Sequence, residues 1–284
     1  MTRYLVTGAS GMLGSDLGAV LAGHEVLALK RTQLDVTDVD AVRAAAEGID
    51  VIINTAAYTK VDDAETHEAE AAMVNAVAPG ILARVAAENG ATLLQLSTDY
   101  VFDGTATSPY PEDALRNPAS AYGRTKADGE RRALDANPDA TFIVRTAWLY
   151  GQHGPNFART MLGLGARRPE VSVVTDQIGQ PTWTFDLARQ LLLLAESEAP
   201  AGIYHATASG QATWFDFARA VFELGGLDPE AVKPTDSSQF VRPAPRPAYS
   251  VLGHDAWTAA GIPPMRDWRV ALEAAFATGA LETS

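Results

Sequence analysis

The stretch "PASAYGRTKADGE", residues 118–130, holds a tyrosine, Tyr122, and a lysine, Lys126, four positions apart. On a helix those positions share a face, so a phenol and an ammonium would stand side by side. A free phenol, with a pKa of about 10, is a weak acid at neutral pH, and a nearby cation favours its ionised form. Lowering it by two to three units needs roughly 3 to 4 kcal/mol of differential interaction, within reach of cations in a partly dry site. The spacing alone is equally that of surface decoration. A second hydroxyl source lies upstream in "LSTDYVFDG", where Ser97 and Thr98 end an apolar run. Hydride arriving on a ketone carbon leaves negative charge on the oxygen, which then needs a hydrogen-bond donor and a proton. Thr98 suits the first need and Tyr122 the second, which is the chemistry of carbonyl reduction.

Such groups need a scaffold. From the start to about residue 150, apolar runs "RYLVT" (3–7), "EVLAL" (25–29), "VIIN" (51–54), "TLLQLS" (92–97) and "TFIVRT" (141–146) alternate with segments of helical period. The helical segments are "MLGSDLGAVLA", "VDAVRAAAE", a run from about 65 to 89 interrupted at Pro79, and "SAYGRTKADGERRALDA". Strands that are apolar throughout are covered on both faces, as in a parallel sheet between two helix layers. The fold class is α/β, a Rossmann-type doubly wound parallel sheet over residues 1–150, with later segments returning to it. Beyond residue 150 the chain has more proline and tryptophan, longer loops such as "SSQFVRPAPRPAYSVLGHD", and further helical periods. Residues 151–284 read mainly as a smaller α/β substrate-binding cap.

The first strand runs into "TGASGMLG", with Gly8, Gly11 and Gly14 three apart, ahead of an amphipathic helix. In a dinucleotide site the first glycine makes the tight turn, the second lets a pyrophosphate approach the backbone, and the third packs helix on strand. Ser10, Met12 and Leu13 belong to the same cofactor-binding loop. After the second strand, where an acidic residue would take ribose hydroxyls, the chain reads "ALKRTQLDVTD". Lys30 and Arg31 favour a 2'-phosphate and hence NADPH, with NADH as the alternative. Asp35 and Val36 are placed to contact adenine, and Ala56, Ala57 and Tyr58 in "NTAAYT" to lie along the cofactor. Lys126 can hold the nicotinamide ribose, and the oxidised ring's positive charge would add to that of the ammonium.

The formal charge is −13, from 22 basic and 35 acidic residues, and no basic run offers a phosphate-tracking stripe, so nucleic acid is disfavoured as a partner. An anionic substrate would need locally placed arginines, backbone amides or helix N-termini. There is no cysteine, which excludes disulfides and thiolate chemistry, and the five histidines are too scattered for a zinc site. No window approaches 18 uninterrupted apolar residues, so the expectation is no membrane span, no signal peptide and a cytoplasmic protein. A hydrophobic fraction of 47% and a charged fraction of 20% are those of a packed globular enzyme.

Several stretches together carry a family resemblance: "TGASGMLG", "NTAAYTKVDDAE", "LSTDYVFDG", "YGRTK", "RTAWLYG", "DQIGQPTWTFDLA", "GIYHATASG" and "RPAYSVL". The chain resembles the extended short-chain dehydrogenase/reductases, and closely the dTDP-4-dehydrorhamnose reductases, over nearly its full length. The resemblance implies Thr98, Tyr122 and Lys126 as the catalytic set, and Thr59, Val61, Asp99 and Trp148 as contacts to the sugar of a dTDP-sugar substrate. For Trp148 the competing reading is plain core. For the diphosphate it points to Arg246, then Arg242, whose alternative is an ordinary surface role. It also leaves open a homodimer and a Mg2+ ion at its interface, with no carboxylate cluster in the sequence to hold one. Related dehydratases carry an Asp-Glu pair after the threonine, whereas here Thr98 is followed by Asp99 and Tyr100. A sugar-nucleotide 4-epimerase, a ketoreductase of antibiotic deoxysugars, and a non-catalytic NADP-binding subunit like the β subunit of methionine adenosyltransferase are the other readings.

Overall fold

The computed structural model describes residues 1–282. Six parallel strands form the central sheet in the order Gly202–His205, Thr141–Thr146, Thr92–Thr98, Val51–Asn54, Arg3–Thr7, Glu25–Leu29. The order reverses between Arg3–Thr7 and Val51–Asn54, so the crevice at the carboxyl ends opens between the strand that feeds the glycine loop and the one beside it. Alternate residues of each strand enter opposite cores. Tyr4, Val6, Ile53 and Leu94 meet Leu13, Leu17 and Leu21 near helix Met12–Val20 and Leu187, Leu191 and Leu194 of helix Thr184–Ala195. Leu5, Ile52, Leu93 and Ile143 meet Val42, Leu82 and Val85 on the other face. Residues past 150 thus supply both a sheet strand and a covering helix. The remaining C-terminal chain packs Phe217, Phe222, Trp183 and Leu272 into a core of its own.

The five strands read from sequence lie where expected, with three differences of detail around them. Glu25–Leu29 is a sheet edge, and Leu27 is 40% exposed. This largely apolar run is therefore not covered on both faces. The sixth strand, Gly202–His205, was not singled out by its four residues. Pro79 does not interrupt its helix either: Glu68–Asn89 is continuous, with a π turn over Met73–Val77 and the proline in the first turn of Ala78–Asn89. Proline has no N–H for the carbonyl four residues back, which is that of Asn75, and a wider turn accommodates the missing bond. That helix is long and apolar enough to cross a membrane by composition, but 56% of its apolar window is buried in the fold, as in a core helix.

The carbonyl of Asn75 has a further consequence. Helix Ala121–Ala136, which carries Tyr122 and Lys126, passes so close that a Cβ on Gly129 would stand 2.0 Å from the Asn75 oxygen. Backbone cannot yield as a side chain would, so this approach requires glycine. Gly129→Ala is expected to lower unfolding free energy by about 1–3 kcal/mol, the usual cost of overpacking, read as a lower urea midpoint at unchanged m-value.

Candidate active site

The carboxyl ends of the strands border one cleft of ≈ 1340 Å³, whose lining includes the glycine loop, Trp148 and Trp214. It exceeds the usual 300–1,000 Å³ of a single-ligand pocket, so there is room for a dinucleotide and a second ligand.

The cofactor half is built from backbone. Gly8 has φ +69, and a Cβ there would lie 2.7 Å from the Ala56 amide nitrogen. On Gly14 a Cβ would meet the Gly8 carbonyl oxygen at 2.6 Å. Gly11 caps helix Met12–Val20 without a side-chain hydrogen bond, which leaves its first amides free toward the cleft, as an anion site requires. Gly8, Ser10, Gly11, Met12 and Leu13 all line the cleft, as do Asp35, Val36, Ala56, Ala57 and Tyr58. Of the cationic pair only Arg31 lines it; the Lys30 backbone N–H bonds the Gln33 side chain. Asp35 accepts from the Thr37 amide and hydroxyl, which hold its carboxyl below the usual range. Tyr58 donates its hydroxyl to Asp63, an interaction that raises its pKa to about 12. The cradle fits a dinucleotide of the NADP type.

Tyr122, Lys126 and Thr98 all line this cleft. Ser120 caps the helix of Tyr122 and Lys126 by accepting from the Gly123 amide at 3.1 Å. Gly123 is small for a reason: a Cβ there would be 2.2 Å from the Tyr100 carbonyl oxygen, so the helix start is pressed against the turn that follows Thr98. Thr98 in turn caps that turn, accepting from the Tyr100 amide at 3.2 Å while donating to Asp99 at 2.9 Å. Burial pushes the Tyr122 phenol up to about 12, against the Thr98 hydroxyl, which lowers it, while the Asp99 carboxyl adds to the rise. The expected lowering by Lys126 is not present. The Lys126 ammonium instead donates to the Leu96 carbonyl at 2.7 Å, and burial lowers it to about 8 with Glu130 opposing. A high phenol pKa keeps Tyr122 protonated at neutral pH, the state that a proton donor needs.

A buried polar chain reaches this lysine from the cofactor loop. Thr7 donates to Asn54, Asn54 to Gln95 at 2.7 Å, and Gln95 to the Leu96 carbonyl at 2.8 Å. The oxygen that receives Lys126 therefore ends a network crossing three strands.

Of the expected sugar contacts, Thr59, Val61, Asp99 and Trp148 line the cleft. Asp99 is only 2% exposed, and burial raises its carboxyl to about 6. Trp148 has φ +45, a left-handed conformation costly for a bulky residue. It stacks on Trp214 at 3.6 Å between centroids, over Gly179, where a Cβ would strike the indole at 2.5 Å. Trp214 was missed; it lies 66 positions further on in the chain, and nothing in local spacing announces the stack. Arg246 and Arg242 do not line the cleft: both pair with Asp62, at 2.9 and 3.6 Å. Among the described residues no group of three His, Asp or Glu side chains is placed to hold a metal ion, so the Mg2+ expectation finds no site.

A family model described as the RmlD substrate binding domain matches residues 2–280. A probable dTDP-4,6-dihydroxy-2-methyloxan-3-one 4-ketoreductase of Streptomyces antibioticus is 53% identical, with 96% of this chain and 94% of that protein covered. A dTDP-4-dehydrorhamnose reductase of Streptomyces griseus is 51% identical over 96% and 93%. The crystal structure of dTDP-4-dehydrorhamnose reductase from Bacillus anthracis in complex with NADP superposes with a TM-score of 0.94 at 36% identity, over 98% of this chain and all of that one. With matches of this extent on every measure, the chain belongs to the dTDP-4-dehydrorhamnose reductase family of the extended short-chain dehydrogenase/reductases.

Proposed function

We propose that the protein reduces the C4 ketone of a dTDP-4-dehydro-6-deoxy-L-hexose, converting dTDP-4-dehydro-L-rhamnose to dTDP-L-rhamnose with NADPH. The observation that carries this reading is the convergence of Thr98, Tyr122 and Lys126 on the wall of the cleft that the glycine loop enters. When bound along that loop, the reduced nicotinamide supplies the hydride. Thr98 turns its hydroxyl from Asp99 to hydrogen-bond the ketone oxygen, and Tyr122 gives that oxygen the proton. Lys126, one turn along the same helix face and fixed on the Leu96 carbonyl, adds a positive charge to the site as the proton leaves. Thr59, Val61 and Trp148 hold the hexose. Arg246 serves the diphosphate by exchanging Asp62 for it, since phosphate competes well for a guanidinium. Arg31 takes the 2'-phosphate. The site supports an enzyme over a non-catalytic NADP-binding subunit, because mere cofactor binding does not call for all three polar groups. Work on a nucleotide sugar suits a cytoplasmic setting, where such substrates are made.

A ketoreductase of another dTDP-deoxysugar is the second reading, favoured by the Streptomyces antibioticus relative. NMR of the product formed from dTDP-4-dehydro-L-rhamnose and NADPH decides: dTDP-L-rhamnose is expected, the C4 epimer would favour the second reading, and no NADPH oxidation would overturn both.

Tyr122→Phe should cost roughly a hundred- to ten-thousand-fold in kcat, the usual worth of a positioned proton donor, and equal turnover by mutant and wild type would remove Tyr122 from this role. Arg31→Ala should raise KM for NADPH about tenfold, as for loss of one charge-assisted phosphate contact, with KM for NADH nearly unchanged. Because Lys126 acts as a cation and ionises near 8, kcat/KM should be level through neutral pH and fall as pH rises past about 8; a profile flat to pH 10 would contradict this.

A further inference from the structure

One turn beyond Lys126 on the same helix face stands Glu130, a carboxylate 1% exposed beneath the cleft. Its partners come from separate elements. Ser97 donates to one oxygen at 2.5 Å, and Arg145 of the neighbouring strand grips both oxygens at 2.9 and 2.8 Å. Arg116, from the loop before the helix, reaches the second oxygen at 3.3 Å. Arg145 is itself 1% exposed; it also donates to the Glu112 carbonyl and to His205 Nε2, whose other nitrogen donates to the Gly253 carbonyl. A buried ion pair of this kind is weak support for stability, because desolvation opposes the attraction and apolar residues often replace it without loss. Its place in the fold points elsewhere. Leu96, Ser97 and Thr98 are consecutive: Lys126 takes hold of the first, Glu130 of the second, and the third is the hydroxyl beside Tyr122. Two residues of one helix thus clasp two consecutive residues of one strand, immediately before Thr98.

We propose that Glu130 is a positioning residue of the reductase site, whose carboxylate ties the strand end bearing Thr98 to the helix bearing Tyr122 and holds Lys126 as a cation. This rests on the reading of Thr98, Tyr122 and Lys126 given above. The charged and titratable groups around the pair are few. Tyr122 shares the helix, Asp99 follows Thr98, and Arg145 and Arg116 hold Glu130. His205 stays neutral because burial and the Arg145 guanidinium lower its pKa well below the ordinary value. From the π turn packed on the helix comes the neutral Asn75, which bonds Thr125. Glu130 is the anion that opposes the burial of Lys126.

The test is the pH profile of kcat/KM for NADPH-dependent reduction by Glu130→Gln, alongside wild type. Gln keeps the shape and an acceptor for Arg145 but removes the charge, so the alkaline limb should move down by about one pH unit, with KM for NADPH on the acid side of both limbs little changed. A folded variant whose limb stays at the wild-type pH, whatever its rate, would overturn the charge-holding role. Glu130→Asp restores the charge and should return the limb. Ser97→Ala leaves the ion pair intact, so it answers even where Glu130→Gln does not fold: kcat should fall about tenfold, the worth of one hydrogen bond to a charged group, with an unmoved limb. Wild-type kcat in Ser97→Ala would overturn the clasp. Lys126→Met separates the two readings, since retained activity there removes the catalytic set itself, whereas its loss beside an unmoved Glu130→Gln limb removes only the proposal.

Discussion

The close seating of helix Ala121–Ala136 sets the geometry of everything around it. The helix touches backbone at both ends of the face that bears Tyr122 and Lys126: Gly123 lies on the Tyr100 carbonyl and Gly129 on the Asn75 carbonyl. A side chain at Gly123 would push the helix from the turn after Thr98, and one at Gly129 would push it from helix Glu68–Asn89. Lys126 would then lose the Leu96 oxygen, and a buried ammonium without an acceptor is costly. The same approach brings Glu130 to Ser97 and Arg145. Helix packing and catalytic geometry are here one constraint, enforced by two absent Cβ atoms.

Most of the sheet was legible because parallel strands buried on both faces leave apolar runs that chain punctuation brackets, as in "VIIN" and "TFIVRT". What was not legible depended on neighbours. Glu25–Leu29 has the same texture but stands at an edge, and no local pattern distinguishes an edge from an interior. Gly202–His205 is four residues long and finds its place only through Phe142–Arg145 beside it. Pro79 was read by its missing donor alone; the π turn that absorbs the loss is a property of the whole helix and of the glycine packed on it.

The site divides the same way. The glycine loop was legible because its chemistry is backbone chemistry, and only glycine tolerates the φ of +69 at Gly8 and the contacts made there. Thr98, Tyr122 and Lys126 were legible as types and spacings, but their electrostatics were not. The sequence placed an ammonium beside a phenol and suggested a lowered pKa, whereas the folded chain turns that ammonium to a carbonyl and raises the phenol by burial. The two arginines offered for a diphosphate face Asp62, a residue on a segment some 180 positions away in sequence. Such long-range partners leave no local trace, and neither does the stacking of Trp214 under Trp148. Glu130 did leave one, as the third member of an i, i+4, i+8 series with Tyr122 and Lys126.

The buried polar chain from Thr7 through Asn54 and Gln95 to Leu96 explains how a mostly apolar sheet can hold so exact a lysine. Unpaired polar groups at these depths would each cost about 1–3 kcal/mol, so every donor along the chain must find its acceptor. Thr7 closes the first strand just before Gly8, Asn54 accepts from the Ala56 amide against which Gly8 turns, and Gln95 shares the Leu96 oxygen with Lys126. The turn of the glycine loop and the Lys126 ammonium are thus joined by one set of hydrogen bonds. The spacing between the glycine loop and Lys126 is thereby set by contacts inside the sheet, through Asn54 and Gln95, and not by the loops around it.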